Sequence, residues 1–142
     1  MMQNRIHLIT LGVKDMAVSR AYYAAMGWEM SPISMDEVTF YQAGGQVLGL
    51  YLQNALTHDT GLGLPTPGGI TLAVNAHSRD EVEVLFQQAL AAGATALQTP
   101  RDTPWGGFVG YIQDPDGHPW EFSYVPQLVP NENGDLILPD TL

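Results

Sequence analysis

Two stretches of alternating side chains, ITLGV at residues 9–13 and ITLAV at 70–74, are each followed by a helix signal and a glycine stop. In the first copy Asp15 has the place of an N-cap, and Met16, Ser19, Tyr22, Tyr23 and Met26 recur at helical spacing before Gly27. This predicts a helix over 15–26. In the second copy Ser78 and Glu81 have capping-box spacing, while Val82, Leu85, Phe86 and Ala89 fall at i, i+3, i+4 and i+7 before Gly93. A helix over 78–92 follows. Strands are expected at 38–43 and 46–52, turned by Gly44-Gly45, then at 95–98, 108–113 and 119–125, with DPDG between the last two. The order β-α-β-β-β thus occurs twice, as an internal repeat.

Because side chains alternate along a strand, Ile9, Leu11 and Val13 should face the first helix, and Ile70, Leu72 and Val74 the second. Leu8, Thr10, Thr71, Ala73 and Asn75 then line the opposite side, where two half-sheets can curl into a trough. The expected fold class is α+β, with tandem βαβββ modules forming a curved mixed sheet around that trough. A single domain is expected over 1–142, made of module 1 (about 5–57), a Gly/Pro/Thr-rich linker (58–69), module 2 (about 70–125) and an irregular tail (126–142).

Composition narrows the partners. The net charge is −10 with only five Lys and Arg, too few to neutralise a phosphate backbone, so neither nucleic acid nor an anionic membrane is an expected partner. No apolar run approaches the length of a membrane span, and MMQNRIHLITLGV lacks the order of a signal peptide, so a cytoplasmic location is expected. Zero cysteines exclude disulfides, thiolate zinc sites and a cysteine nucleophile.

The paired units, the D-x-x-x-S-x-x-Y-Y helix start (Asp15, Ser19, Tyr22, Tyr23) and DPDG-H-x-x-E (Asp114 to Glu121) resemble the vicinal oxygen chelate superfamily over about residues 6–125. That superfamily includes glyoxalase I, extradiol dioxygenases, fosfomycin-resistance transferases and bleomycin-resistance binding proteins. The resemblance implies metal-ligand positions at Leu8, Gly49, Gly69 and Glu121, of which Glu121 alone carries a ligand side chain. His7 is one residue out of phase and would need a bulge to turn inward. His58 and His77 are expected on the surface, and His118 in the DPDGH turn. No cofactor is therefore expected, the alternative being a divalent metal at Glu121. Metal-dependent glyoxalase I or dioxygenase chemistry is disfavoured accordingly.

The expected function is binding of a small apolar or aromatic molecule, cations included, in the acidic trough by a metal-free homodimer. Its ligand-binding candidates are Glu121, Tyr111, Trp105, Tyr51, Thr10 and Thr71. The hydroxyl of Tyr111, Thr10 or Thr71 would donate to Glu121, and Trp105, before Gly106-Gly107, would act as a flap or a dimer contact. Whether the chain is an enzyme stays open at this point. The alternative is a glyoxalase-like lyase or isomerase in which Glu121, the one catalytic candidate, moves a proton with or without a metal.

Overall fold

The computed structural model describes residues 1–64 and 66–141 and divides into two compact units, Met1–Thr66 and Pro67–Leu142. In the first unit β1 (Leu8–Val13) leads to α1 (Met16–Ala25), which Asp15 caps by accepting from the Val18 amide at 3.2 Å. The hairpin β2 (Val38–Ala43) and β3 (Gln46–Leu52) turns through Gly44, whose φ of +62° suits glycine. The sheet order is β1-β3-β2, with β1 parallel and β2 antiparallel to β3. Leu11, Val13, Leu48 and Leu50 are buried, as are Tyr22 and Tyr23 of α1. The Tyr23 ring meets Tyr22, Trp28 and Tyr41 at centroid distances of 5.0, 6.2 and 5.7 Å, an aromatic cluster within the unit's core. The buried Thr39 hydroxyl donates to Met16 Sδ at 3.1 Å and accepts from Arg20 Nε at 2.7 Å.

Two features of this unit depart from the sequence pattern. The module was expected to hold four strands, and its sheet has three. Residues 28–35 touch it through the isolated bridges Met30↔Tyr41 and Met35↔Val38. Pro32 has no amide to donate, and the Ser34 hydroxyl takes the Phe40 amide at 2.9 Å in place of a strand carbonyl. The second departure is α2 (Gln53–Thr60), which runs into the expected linker at 58–69 and ends on Gly61 at φ +73°. Pro65, inside that linker, lies outside the described residues.

The second unit is a full βαβββ module: β4 (Leu72–Asn75), α3 (Arg79–Ala92), β5 (Thr95–Asp102), β6 (Phe108–Gln113) and β7 (Pro119–Tyr124). Its order is β4-β7-β6-β5, with β4 parallel to β7. Ser78 caps α3 through the Glu81 amide at 3.1 Å, and the Glu81 carboxylate accepts from the His77 amide at 2.6 Å. Val82, Phe86 and Ala89 bury one face of α3, and Phe108, Ile112, Trp120 and Phe122 are buried on the strands. β5 continues through Pro100 instead of stopping at Gln98, because its register slips twice on the way to Asp102 and it has a partner on one side. Ile70 corrects the expected facing. The strand starts at Leu72, so Ile70 escapes the alternation and is 72% exposed.

DPDG closes β6 to β7 as a hydrogen-bonded turn. Asp114 Oδ1 accepts from the amides of Asp116 and His118, each at 2.9 Å, and Gly117 takes φ +88°. Among the described residues beyond Tyr124 there is no helix or strand, and Leu142, the end of the expected tail, lies outside them. Both units are α+β modules whose first strand pairs parallel to their last.

Candidate functional site

Alternation along β7 sends Trp120 and Phe122 to the α3 side and Glu121 to the opposite face of the second unit's sheet. The ladder then places Ala73, Glu121, Tyr111 and Gln98 side by side across four strands. Tyr111 stands directly opposite Glu121 across the β6–β7 ladder, which sets the phenol and the carboxylate side by side on one face. Burial holds the Tyr111 phenol above its usual range, the charge of Glu121 and hydrogen bonding toward it add to that, and Arg101 opposes it. Thr71 does not join this row. It precedes β4 and is exposed, and Ala73 has the ladder position opposite Glu121.

The first unit carries a different surface on the sheet face turned from α1. Three rows cross it, Leu8–Val47–Gln42, Thr10–Gly49–Phe40 and Gly12–Tyr51–Val38. They floor a concavity of about 740 Å³ walled by Leu8, Val38, Phe40, Tyr51 and Leu56, with Thr10 inside and Asp36 and Glu37 at the rim. Gly49 keeps the floor low, since a Cβ there would stand 3.4 Å from Thr10 Oγ1 and 3.5 Å from Leu8 Cδ1. The Tyr51 hydroxyl donates to Asp59 Oδ2 at 2.9 Å. That bond raises its pKa most, followed by burial and the charges of Asp59 and Glu37. Of these residues Tyr51 and Thr10 are sequence candidates. Val38 and Phe40 were within reach of the same alternation argument, whereas Leu56 lies on the helix that carries no strong sequence signal.

Trp105 sits in a turn more tightly tied than a glycine flap would be. Thr103 and Gly107 exchange backbone and hydroxyl hydrogen bonds at 2.8 to 3.3 Å. Gly106 takes φ +96°, and Gly107 leaves room for the indole, whose Cζ3 is 2.5 Å from where a Cβ would be built. The two glycines serve turn geometry and packing, and the indole stays 61% exposed.

The donor set does not fit a metal. Among the described residues no three His, Asp or Glu side chains gather into a group. β1 pairs with β3 without a slip from Leu8 to Val13, so no bulge turns His7 inward. His58 is exposed on α2, His77 is exposed beside Glu81, and His118 is held in the turn through its amide and carbonyl. Thr10 lies opposite Gly49 as Ala73 lies opposite Glu121, and the caps Asp15 and Ser78 stand equally far beyond Thr10 and Ala73. Within the chain the ITLGV and ITLAV strings therefore match two residues out of structural step.

Two α+β modules, each closing its first strand parallel on its last, define a class of paired-module α+β proteins. The sequence profile of the Glyoxalase/Bleomycin resistance protein/Dioxygenase superfamily matches residues 5–122, and the chain belongs to that superfamily. The crystal structure of a glyoxalase-related enzyme from Fulvimarina pelagi is similar over 96% of this chain and 99% of that one, with TM-score 0.90 and 33% identity. A lactoylglutathione lyase from Agrobacterium tumefaciens shares the fold at TM-score 0.67 and 21% identity, over 87% of this chain and 95% of that one. An uncharacterized protein of Mycobacterium tuberculosis is 43% identical over 53 residues, 37% of this chain and 31% of its own length. The match thus spans about a third of that relative.

Proposed function

We propose that the chain binds a small apolar or aromatic molecule bearing a positive charge, with Tyr51 and Thr10 among its contacts. The observation that carries this is the concavity of about 740 Å³ in the first unit, whose walls are apolar and whose charged lining residues, among the described ones, are the acidic Asp36 and Glu37. Apolar walls with a few placed polar groups suit a small ligand. The aromatic faces of Phe40 and Tyr51 suit a cation, and a rim of one sign raises the local concentration of the opposite one. Calorimetric titration with an aromatic quaternary ammonium, its neutral isostere and an anionic analogue tests it. The cation should bind most tightly and weaken with salt, and Phe40→Ala should weaken the isostere by about tenfold through lost apolar contact and the cation by more, since it also loses the aromatic face. Equal affinity for all three probes refutes the charge preference. No binding of any refutes the site.

A second reading rests on the Tyr111–Glu121 pair and on the likeness to a protein described as a glyoxalase-related enzyme. In it Glu121 accepts a proton from a substrate carbon and Tyr111 steadies the carboxylate, giving glyoxalase-like lyase or isomerase chemistry. Turnover of an α-ketoaldehyde hemithioacetal that disappears in Glu121→Gln supports it, and turnover unchanged in that variant removes it.

A further inference from the structure

α2 is a helix with little to hold it. It has eight residues, none buried, and its N-cap, Leu52, supplies no side-chain bond to the first turn. Isolated helices this short are unstable in water, so α2 depends on what it rests upon. It lies against β1 and β3, over Gly12, where a Cβ would be 3.4 Å from both Gln53 Cβ and Leu56 Cδ2. Its Leu56 forms one wall of the concavity. Its last turn is tied back to the sheet by the Tyr51–Asp59 hydrogen bond of 2.9 Å, across an exposed gap.

Both ends suit a pivot. The Leu52 amide donates to the Glu37 carbonyl at 3.1 Å, so the end of β3 is anchored before α2 begins. At the far end Gly61, left-handed at φ +73°, opens a stretch without regular structure in which Leu62 and Leu64 are 72% and 63% exposed. We infer that α2 is a movable lid on the first unit's concavity, latched by Tyr51 and Asp59, with Leu56 as the part that covers the ligand. The inference rests on the binding reading above. Tyr51 and Asp59 act in it as positioning residues, since they set where Leu56 stands.

Hydrogen exchange on the intact chain, read by mass spectrometry, tests the latch. In Tyr51→Phe and in Asp59→Asn the amides from Thr57 to Gly61 should exchange about tenfold faster, the factor that one lost hydrogen bond carries, while α1 and the strands keep their rates. Gly12→Val, which pushes on Gln53 and Leu56 and crowds the neighbouring Tyr51, should do the same. In stopped flow the neutral fluorescent probe N-phenyl-1-naphthylamine should leave all three variants faster than wild type by a similar factor. Unchanged exchange in the latch variants overturns the inference, and so does faster exchange with unchanged probe release. If the wild-type chain binds neither this probe nor the aromatic cation, the binding reading fails by itself, and the exchange rates alone then decide whether the latch exists.

Discussion

At the scale of single residues the pair to test is Tyr111 and Glu121. The Tyr111 phenol is held above its ordinary 10.0 by burial first and by the Glu121 charge and hydrogen bond next. Carbon-13 NMR titration of the tyrosine Cζ should therefore give Tyr111 a midpoint above that of a free phenol. Glu121→Gln removes the charge but leaves burial and an acceptor, so the midpoint should move down without reaching the free value. The sign for stability follows. The folded state holds this proton more tightly than the unfolded one, so the contribution is complete below the ordinary 10.0 and is lost as pH rises through the folded value. Urea unfolding from neutral to strongly alkaline pH should show that loss, reduced in Tyr111→Phe. If Glu121 is also a binding anchor, Glu121→Gln should weaken a cationic ligand by about 1 to 3 kcal/mol and leave the melting temperature nearly unchanged. Unaltered affinity would make it a structural carboxylate satisfied by Tyr111.

At the scale of elements the second unit has one tight helix-to-sheet seam. A Cβ on Gly110 would be 2.9 Å from Pro100 Cγ and 3.1 Å from Phe86 Cδ2, so β6 requires glycine where it passes under α3 and β5. Gly110→Ala should destabilise the chain by about 1 to 3 kcal/mol, the usual cost of overpacking, measured by urea unfolding. Ser78→Ala, which removes the α3 cap, should cost about 1 kcal/mol in the same experiment. Arg79 reaches Asp102 and lies 4.1 Å from the Phe108 ring centroid, but its exposed ion pair should matter little, so Asp102→Asn should leave the unfolding midpoint almost in place.

At the scale of the whole molecule the open question is assembly. Within their sheets β1 and β4 each have a hydrogen-bonded neighbour on one side, and Ile33, Leu62, Ile137 and Leu138 are exposed. Unpaired edges and exposed apolar side chains favour self-association, and we propose a homodimer. Light scattering at micromolar concentration should return about twice the 15.4 kDa chain mass, and the mass of one chain would refute it. Among the described residues no helix is long and apolar enough to cross a membrane.

Where local chemistry suffices, the chain could be read directly. Asp15, Ser78 and Gly93 mark helix ends because caps act within one turn of backbone. The DPDG turn and the side of the sheet that Glu121 and Tyr111 occupy follow from neighbours a few residues apart. Only the tertiary structure decided the rest. α2 forms because β1 and β3 give it something to lie on, and its own sequence has neither a side-chain cap nor a buried face to announce it. The fourth strand of the first unit shrank to bridges because Pro32 and Ser34 cannot keep a ladder. The strings ITLGV and ITLAV look equivalent, yet strand pairing sets them two residues apart, since hydrogen-bond register is chosen by partners distant in sequence. The same reason separates the surfaces that matter for function. Alternation could say which side chains leave the core, but the rows joining Phe40 to Thr10 and Tyr111 to Glu121 exist only once the strands have paired.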